Sequence, residues 1–137
     1  MIDKSILFNF LKSIDKDFNP HLSEKVDLKE YIDKILEKAY LIHYNNDGNL
    51  IGLLVLYCND FENKKAYIPL VGVLDGFRGN GVARKMMLEC LNYVNLKGFK
   101  IIGIHSNNPI AIDLYRRLGF RIINIDSNKR VYMELIL

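Results

Sequence analysis

Between Ser5 and Ile14 the apolar residues Ile6, Leu7, Phe10, Leu11 and Ile14 recur at helical spacing, and Ser5 is placed to cap that helix. Asp15 to Glu24 is polar and holds Asn19-Pro20, so it reads as a loop. A second helix is expected over Asp27 to Lys38. Leu28, Tyr31, Ile32, Ile35 and Leu36 form its stripe, and Asp27 with Glu30 makes a capping-box pattern. The period then changes. Ala39 to Tyr44 and Leu50 to Cys58 read as strands joined through Asn45-Asn46-Asp47-Gly48-Asn49, where Asp-Gly is the hairpin signal. The second strand is continuously apolar, so both of its faces should be covered. After the polar connection Asn59 to Lys65, Ala66 to Leu74 gives a third strand, and the three should form an antiparallel meander.

The helical period returns after Gly81. Val82, Met86, Cys90 and Val94 form one row with Ala83, Met87 and Leu91 beside it, while Arg84, Lys85, Glu89, Asn92 and Asn95 face away. Gly98 suits the C-cap. Lys100 to His105 reads as a strand, and the helical crossover should set it parallel to the strand before the helix. Asn108 suits an N-cap and Pro109 a first helical position. Ala111, Leu114, Tyr115 and Leu118 make the stripe of that helix, and Gly119 stops it. Phe120 to Asp126 and Arg130 to Leu137 close the chain as a hairpin around Ser127-Asn128-Lys129. The fold class expected is α/β (α+β), a mixed and mostly antiparallel sheet flanked by helices, in one domain over residues 1–137.

Composition narrows the function without naming it. A chain of 137 residues, half of them hydrophobic and 26% charged, suits one globular domain. No apolar run is long enough to span a membrane, and the N-terminus lacks a signal-peptide pattern, so a cytoplasmic protein with no membrane partner is expected. Cys58 and Cys90 fall inside a strand and a helix and read as buried, reduced thiols. The net charge of +3 comes without a long basic run, which argues against nucleic acid and is compatible with a small anionic ligand.

The candidate chemistry lies between Tyr67 and Val94, in the order strand, glycine-rich turn, helix. A helix start leaves N–H groups without partners, glycines let that backbone approach a ligand, and Arg78 adds a forked positive charge. Phosphate or pyrophosphate is the natural ligand. Two familiar motifs fail here. Gly76 and Gly81 have P-loop spacing, but Val82 and Ala83 stand where Lys and Ser/Thr are needed. Gly79 and Gly81 fit a Rossmann turn, but Arg84 occupies its third small position. A nucleotide-binding regulatory domain is therefore disfavoured. A tight turn with no ligand remains the plain alternative.

Arg78, Gly81 and Ala83 do resemble the Gln/Arg-x-x-Gly-x-Gly/Ala acyl-CoA-binding motif of the GNAT superfamily of N-acetyltransferases. The segment Asn108 to Phe120 resembles a second motif of that superfamily, Asn-x-x-Ala-x-x-Leu-Tyr-x-x-Leu-Gly-Phe, at every named position. The two stand in the right order, one helix and one strand apart. One departure is visible. The family usually has a strand before its first helix, and only Met1 to Lys4 could supply it, so that strand should be short or missing.

The resemblance implies the acyl-CoA N-acyltransferase fold, with a splayed parallel pair formed by Ile68–Leu74 and Lys100–His105. It implies acetyl-CoA as co-substrate and no metal. The pantetheine would pair with backbone near Val71 and Val73, and the pyrophosphate would sit on Arg78, Gly79, Asn80, Gly81, Val82 and Ala83. Val73 or its neighbour would face the thioester oxygen. Tyr115 would protonate the leaving thiolate, unless it is only a core tyrosine. Asn108 would contact CoA or simply cap its helix, and Arg116, Arg117 and Arg121 are either surface charges or attract the CoA phosphates. The residues name no clear base. His105 has a suitable pKa, with Asp60, Glu62 and Tyr67 as others, and Tyr31 either lines the acceptor site or packs in the core. The acceptor expected is a primary amine of a small molecule, with a protein N-terminus or lysine, or a non-catalytic acyl-CoA-binding module, as alternatives. The chain should act as a monomer or homodimer.

Overall fold

In the computed structural model, which describes residues 2–137, the first helix (α1, Lys4–Ile14) is capped by Asp3 rather than Ser5. The Asp3 carboxylate accepts from both the N–H and the hydroxyl of Ser5 at 2.6 Å, and a charged acceptor at a helix start outcompetes a hydroxyl. Asp15 to Glu24 is not all loop. It holds a 3₁₀ turn (Asp15–Asp17) and most of a single-turn helix, α2 (Leu22–Lys25), pinned where Asp15 accepts from the N–H and hydroxyl of Ser23 at 2.7 and 2.6 Å. The third helix, α3 (Leu28–Lys38), starts at Asp27, whose carboxylate accepts from Lys29 and Glu30 N–H as expected.

The sheet has six strands: β1 (Tyr40–Asn46), β2 (Asn49–Asp60), β3 (Lys65–Val73), β4 (Ile101–Ser106), β5 (Arg121–Ile125) and β6 (Val131–Ile136), in the order β1-β2-β3-β4-β6-β5. Residues 2 and 3 lie in no strand and Lys4 is already helical, so among the described residues no strand precedes α1 and β1 forms that edge of the sheet; Met1 lies outside the described residues. Asp47 (φ 51°) and Gly48 (φ 80°) both take positive φ, as a two-residue hairpin loop of type I′ requires. The unbroken apolarity of β2 has the reason anticipated for it. Leu53 and Val55 enter a core under α1 and α3, while Leu54 and Leu56 enter a second core on the other face of the sheet.

That second core is built on α4 (Val82–Leu96), whose Met86, Met87, Cys90 and Val94 are buried, and it also takes in Tyr115 from α5 (Pro109–Arg117). Burial pushes the Cys90 thiol up to about 12, so it is inert. Cys58 departs from expectation, since it is only half-buried. β5 also differs from an ordinary amphipathic strand: it is the free edge of the sheet and every one of its residues is exposed.

One irregularity positions the site. β3 pairs with β2 through Val55↔Leu70 and Tyr57↔Tyr67, so β3 carries one residue too many between these pairs, at Ile68-Pro69. Such a bulge bends its strand. It also resets which face each side chain takes: Ile68 points into the α4 core, whereas Leu70 points to α1 and α3. On its other side β3 pairs in parallel with β4 only from Lys65↔Ile101 to Ile68↔Ile104. Pro69 has no N–H to continue that ladder. The only parallel pair in the sheet therefore opens at the bulge.

Candidate active site

The opening between β3 and β4 continues into a cavity of about 770 Å³. Its wall on the β3 side is backbone. Leu74 donates to Ile51 of β2 at 2.9 Å, and the groups of an antiparallel strand alternate sides, so the N–H groups of Gly72 and Leu74 turn towards β2. Those of Val71 and Val73 turn away from it, towards the gap that β4 has vacated. Both residues line the cavity.

At the end of β3 the chain makes a 3₁₀ turn (Asp75–Phe77) and enters α4 through Gly79 (φ 81°) and Gly81 (φ 80°), the second being the helix N-cap. A Cβ built on either glycine would meet no atom within 4 Å, because the turn faces open space. Gly79, Gly81, Val82 and Ala83 line the cavity together with Arg78. Asn80 does not; its side chain donates to Phe77 O at 3.4 Å. The guanidinium of Arg78 is engaged within the protein: Nε donates to Val73 O at 3.0 Å, and the head group bonds the Asp17 carboxylate and approaches Asp75 at 3.6 Å. What the turn offers a phosphate is thus mainly the N–H groups at the start of α4.

Tyr115 and His105 approach the gap from opposite faces of the sheet. Tyr115 is 4% exposed, packs against Phe120 in the α4 core and lines the cavity. Burial raises its pKa, so the phenol stays protonated. His105 belongs to the α1 side, where its Nδ1 lies 2.7 Å from the Tyr67 hydroxyl. Its pKa lies below the usual histidine range, first because it is partly buried and next because Arg130 is near; Asp126 acts the other way. Asn108 also reaches the cavity, although its side chain caps α5 by accepting from Ile110 and Ala111 N–H.

Other expected residues fall elsewhere. Asp60 accepts from Asn63 and Glu62 is exposed on the β2–β3 turn. Both lie at the paired end of β3, away from the gap, and neither lines the cavity, which removes them as direct bases. Tyr31 is half-buried beside Tyr57 and Tyr67 and does not line the cavity either. Arg117 lines it but is paired with Asp113 at 2.9 Å; Arg116 and Arg121 do not reach it. Sequence reasoning passed over several polar residues that line the cavity: Asp17, Asn19, Lys25, Arg84, Ser106, Asn107, Asp113 and Arg130. Asn107 donates to Asn19 O at 2.7 Å, tying the β4–α5 loop to the segment after α1. No local pattern announces such a bond, because its partners lie 88 residues apart.

The mixed sheet, its opened parallel pair and the glycine turn at a helix start define the acyl-CoA N-acyltransferase class. The acetyltransferase (GNAT) family model matches residues 8–120, and the chain belongs to that family. It is an acetyl-CoA-dependent N-acetyltransferase, with acetyl-CoA as co-substrate. No curated protein matches the chain by sequence. Among solved structures it is similar to a GNAT family acetyltransferase from Elizabethkingia anophelis with acetyl-CoA bound (23% identity, 80% of this chain and 83% of that one, TM-score 0.67). It is also similar to the ribosomal-protein-S18-alanine N-acetyltransferase of Escherichia coli (14% identity, 98% and 87%, TM-score 0.79). A third is an aminoglycoside 6'-N-acetyltransferase complexed with coenzyme A (12% identity, 97% and 89%, TM-score 0.79). At these identities the likeness is one of fold. Among the described residues no helix is long and apolar enough to cross a membrane, and no cluster of three His, Cys, Asp or Glu could hold a metal.

Proposed function

We propose that the chain acetylates the primary amine of a small molecule in the gap between β3 and β4. The carrying observation is that a protonated phenol and an imidazole of lowered pKa reach this gap from opposite faces. Direct transfer needs that separation, because the amine arrives on one side of the thioester carbonyl and the thiolate leaves on the other. The pyrophosphate is assigned to the backbone amides between Arg78 and Ala83, and the pantetheine to Val71 and Val73. Negative charge growing on the thioester oxygen is met by a backbone N–H of β3, Val73 or its neighbour. His105 removes the amine proton as base, directly or through water. That role needs the tautomer in which Nδ1–H donates to the Tyr67 oxygen and Nε2 keeps its lone pair. Tyr115 gives its proton to the thiolate and regains one from solvent through the cavity. A small acceptor is favoured because the segment after α1 lines the cavity and is tied to both sides of the gap, by Asn107 to Asn19 and by Arg78 to Asp17.

Replacing Tyr115 by Phe tests the assignment. It should lower kcat by about a hundredfold or more while CoA affinity stays near wild type, since general acid catalysis commonly contributes that much. The loss should shrink with an acetyl thioester of a more acidic thiol, which needs less protonation. A Phe variant with the wild-type rate on its best amine would make Tyr115 a packing residue.

A further inference from the structure

The charges around the acceptor end of the cavity do not balance. Two carboxylates line the cavity, Asp17 and Asp113, and each is paired with an arginine, Arg78 and Arg117. Lys25, Arg84 and Arg130 line it as well, and among the described residues none of the three takes part in an ion pair; Arg84 stands in the first turn of α4, beside the glycine turn, which leaves Lys25 and Arg130 for the other end. The two cations lie close enough for Arg130 to oppose the charge on Lys25. Neither acid nearby forms an ion pair with them. Asp126 directs Oδ1 to the N–H groups of Asn128 and Arg130, and Glu24, beside Lys25 on α2, faces His21 at 3.6 Å. Arg130 also lies near His105 and Tyr67, so the pair of cations flanks the group assigned as base rather than the glycine turn.

Two like charges held together at a cavity wall repel each other and favour an anion between them. The same field disfavours a polycationic acceptor, because both carboxylates that line the cavity are already paired and neither is free to receive a second ammonium group. We propose that the acceptor carries a carboxylate close to its amine, and that Lys25 and Arg130 hold this carboxylate and so select the substrate. The inference rests on the reading of this end of the cavity as the acceptor site. It adds the acceptor's charge class. Arg130, half-buried, would contribute a planar fork suited to a carboxylate, and Lys25, which is exposed, a point charge from the solvent side.

The test uses the whole chain, acetyl-CoA and paired acceptors that differ in one group. These are ω-amino carboxylates from glycine to 6-aminohexanoate, each beside its carboxamide, with spermidine as a polycation. Peptides with aspartate or asparagine at the second position complete the set. The readout is the ratio of kcat/KM for carboxylate over carboxamide, at a pH where both amines of a pair carry a known neutral fraction. At the best chain length this ratio should be at least about tenfold, as a charge-assisted hydrogen bond provides, and spermidine should be the poorest acceptor. Lys25→Gln should bring the ratio down severalfold, and Lys25→Glu should reverse the order so that the carboxamide and spermidine overtake the carboxylate. CoA titration by calorimetry verifies that each variant is folded. A ratio near one in the wild type, an unchanged ratio in Lys25→Glu, or a loss of CoA affinity as the main effect of Lys25→Gln would each overturn the proposal. If only the aspartate peptides are acetylated, the small-molecule reading fails while the carboxylate inference stands; if carboxamides serve as well as carboxylates, the reverse holds.

Discussion

The two ends of the cavity are made in different ways. The end proposed to hold the cofactor is local in sequence: β3, the Asp75–Phe77 turn and the start of α4 follow one another, and what they offer a ligand is backbone N–H groups that any residue could supply. Glycine matters there for φ and for free space, as at Gly79 and Gly81. The acceptor end is assembled by topology. Lys25 comes from α2, His105 from β4 and Arg130 from the turn before β6, and Tyr67 of β3, which does not itself line the cavity, backs His105. Tyr67 and His105 are 38 residues apart and meet because β3 and β4 are parallel neighbours. A backbone-made site is hard to retune by substitution, whereas a side-chain-made site changes with single residues. Cofactor use is therefore expected to be the stable property of this chain and acceptor choice the variable one.

Four substitutions sharpen this contrast, taken from the largest effect to the smallest. At the cofactor end, Gly81→Val should abolish measurable CoA binding in calorimetry. A β-branched residue is strained at φ 80°, and its side chain would occupy the space into which the turn faces. The native spectrum should survive, because a Cβ there meets no protein atom within 4 Å and the backbone strain, about 1–3 kcal/mol, is a fraction of a domain's stability. Unchanged CoA affinity in a folded Gly81→Val protein would remove the turn from the site.

At the acceptor end, His105→Gln should lower kcat/KM for the amine by about a hundredfold, the usual scale of general base catalysis, and leave CoA affinity alone. The pH profile gives the sign. The base acts when neutral, and its pKa lies below the ordinary histidine value of 6.5, so activity should hold through neutral pH and fall only below about that value. Removing a positive charge by Arg130→Gln should raise the His105 pKa and move the acid limb upward. A limb that does not move, or a His105→Gln enzyme with wild-type rate, would make His105 a packing partner of Tyr67.

The smallest effect is expected where the ends are tied together. Asp17→Asn removes the ion pair with Arg78, whose side chain is 43% exposed, so stability should fall by no more than about 1 kcal/mol. The freed guanidinium then adds charge near the pyrophosphate site, and CoA should bind equally well or a few times more tightly at low salt. Weaker CoA binding would mean that Asp17 holds the turn in shape rather than neutralising it.

The same division explains what the sequence made legible. The periods of α1, α3, α4 and α5 were readable because each helix lays one face on a core, and β2 was readable as an unbroken apolar run because both of its faces are covered. The glycine turn and the Asn108–Phe120 segment were readable because their spacing is local. The single turn of α2 was hidden, since four residues are too few to show a helical period and Asn19-Pro20 signals a loop. The bulge at Ile68-Pro69 was passed over although a proline inside a strand is a recognised mark of one. The cations at the acceptor end had no local signal at all. Lys25 and Arg130 look like surface charges until the fold brings them to the same wall.

The central claim is that β3 leaves two backbone N–H groups of one strand facing an unpaired gap and that acetyl-CoA uses them. Amide hydrogen exchange followed residue by residue, with and without CoA, tests it directly. Gly72 and Leu74, which turn towards β2, should be protected in both states. Val71 and Val73 should exchange much faster in the free protein and become protected when CoA is added at saturating concentration. If Val71 and Val73 are already as protected as Gly72 without CoA, or if CoA binds and leaves their exchange unchanged, the gap between β3 and β4 is not where the cofactor lies.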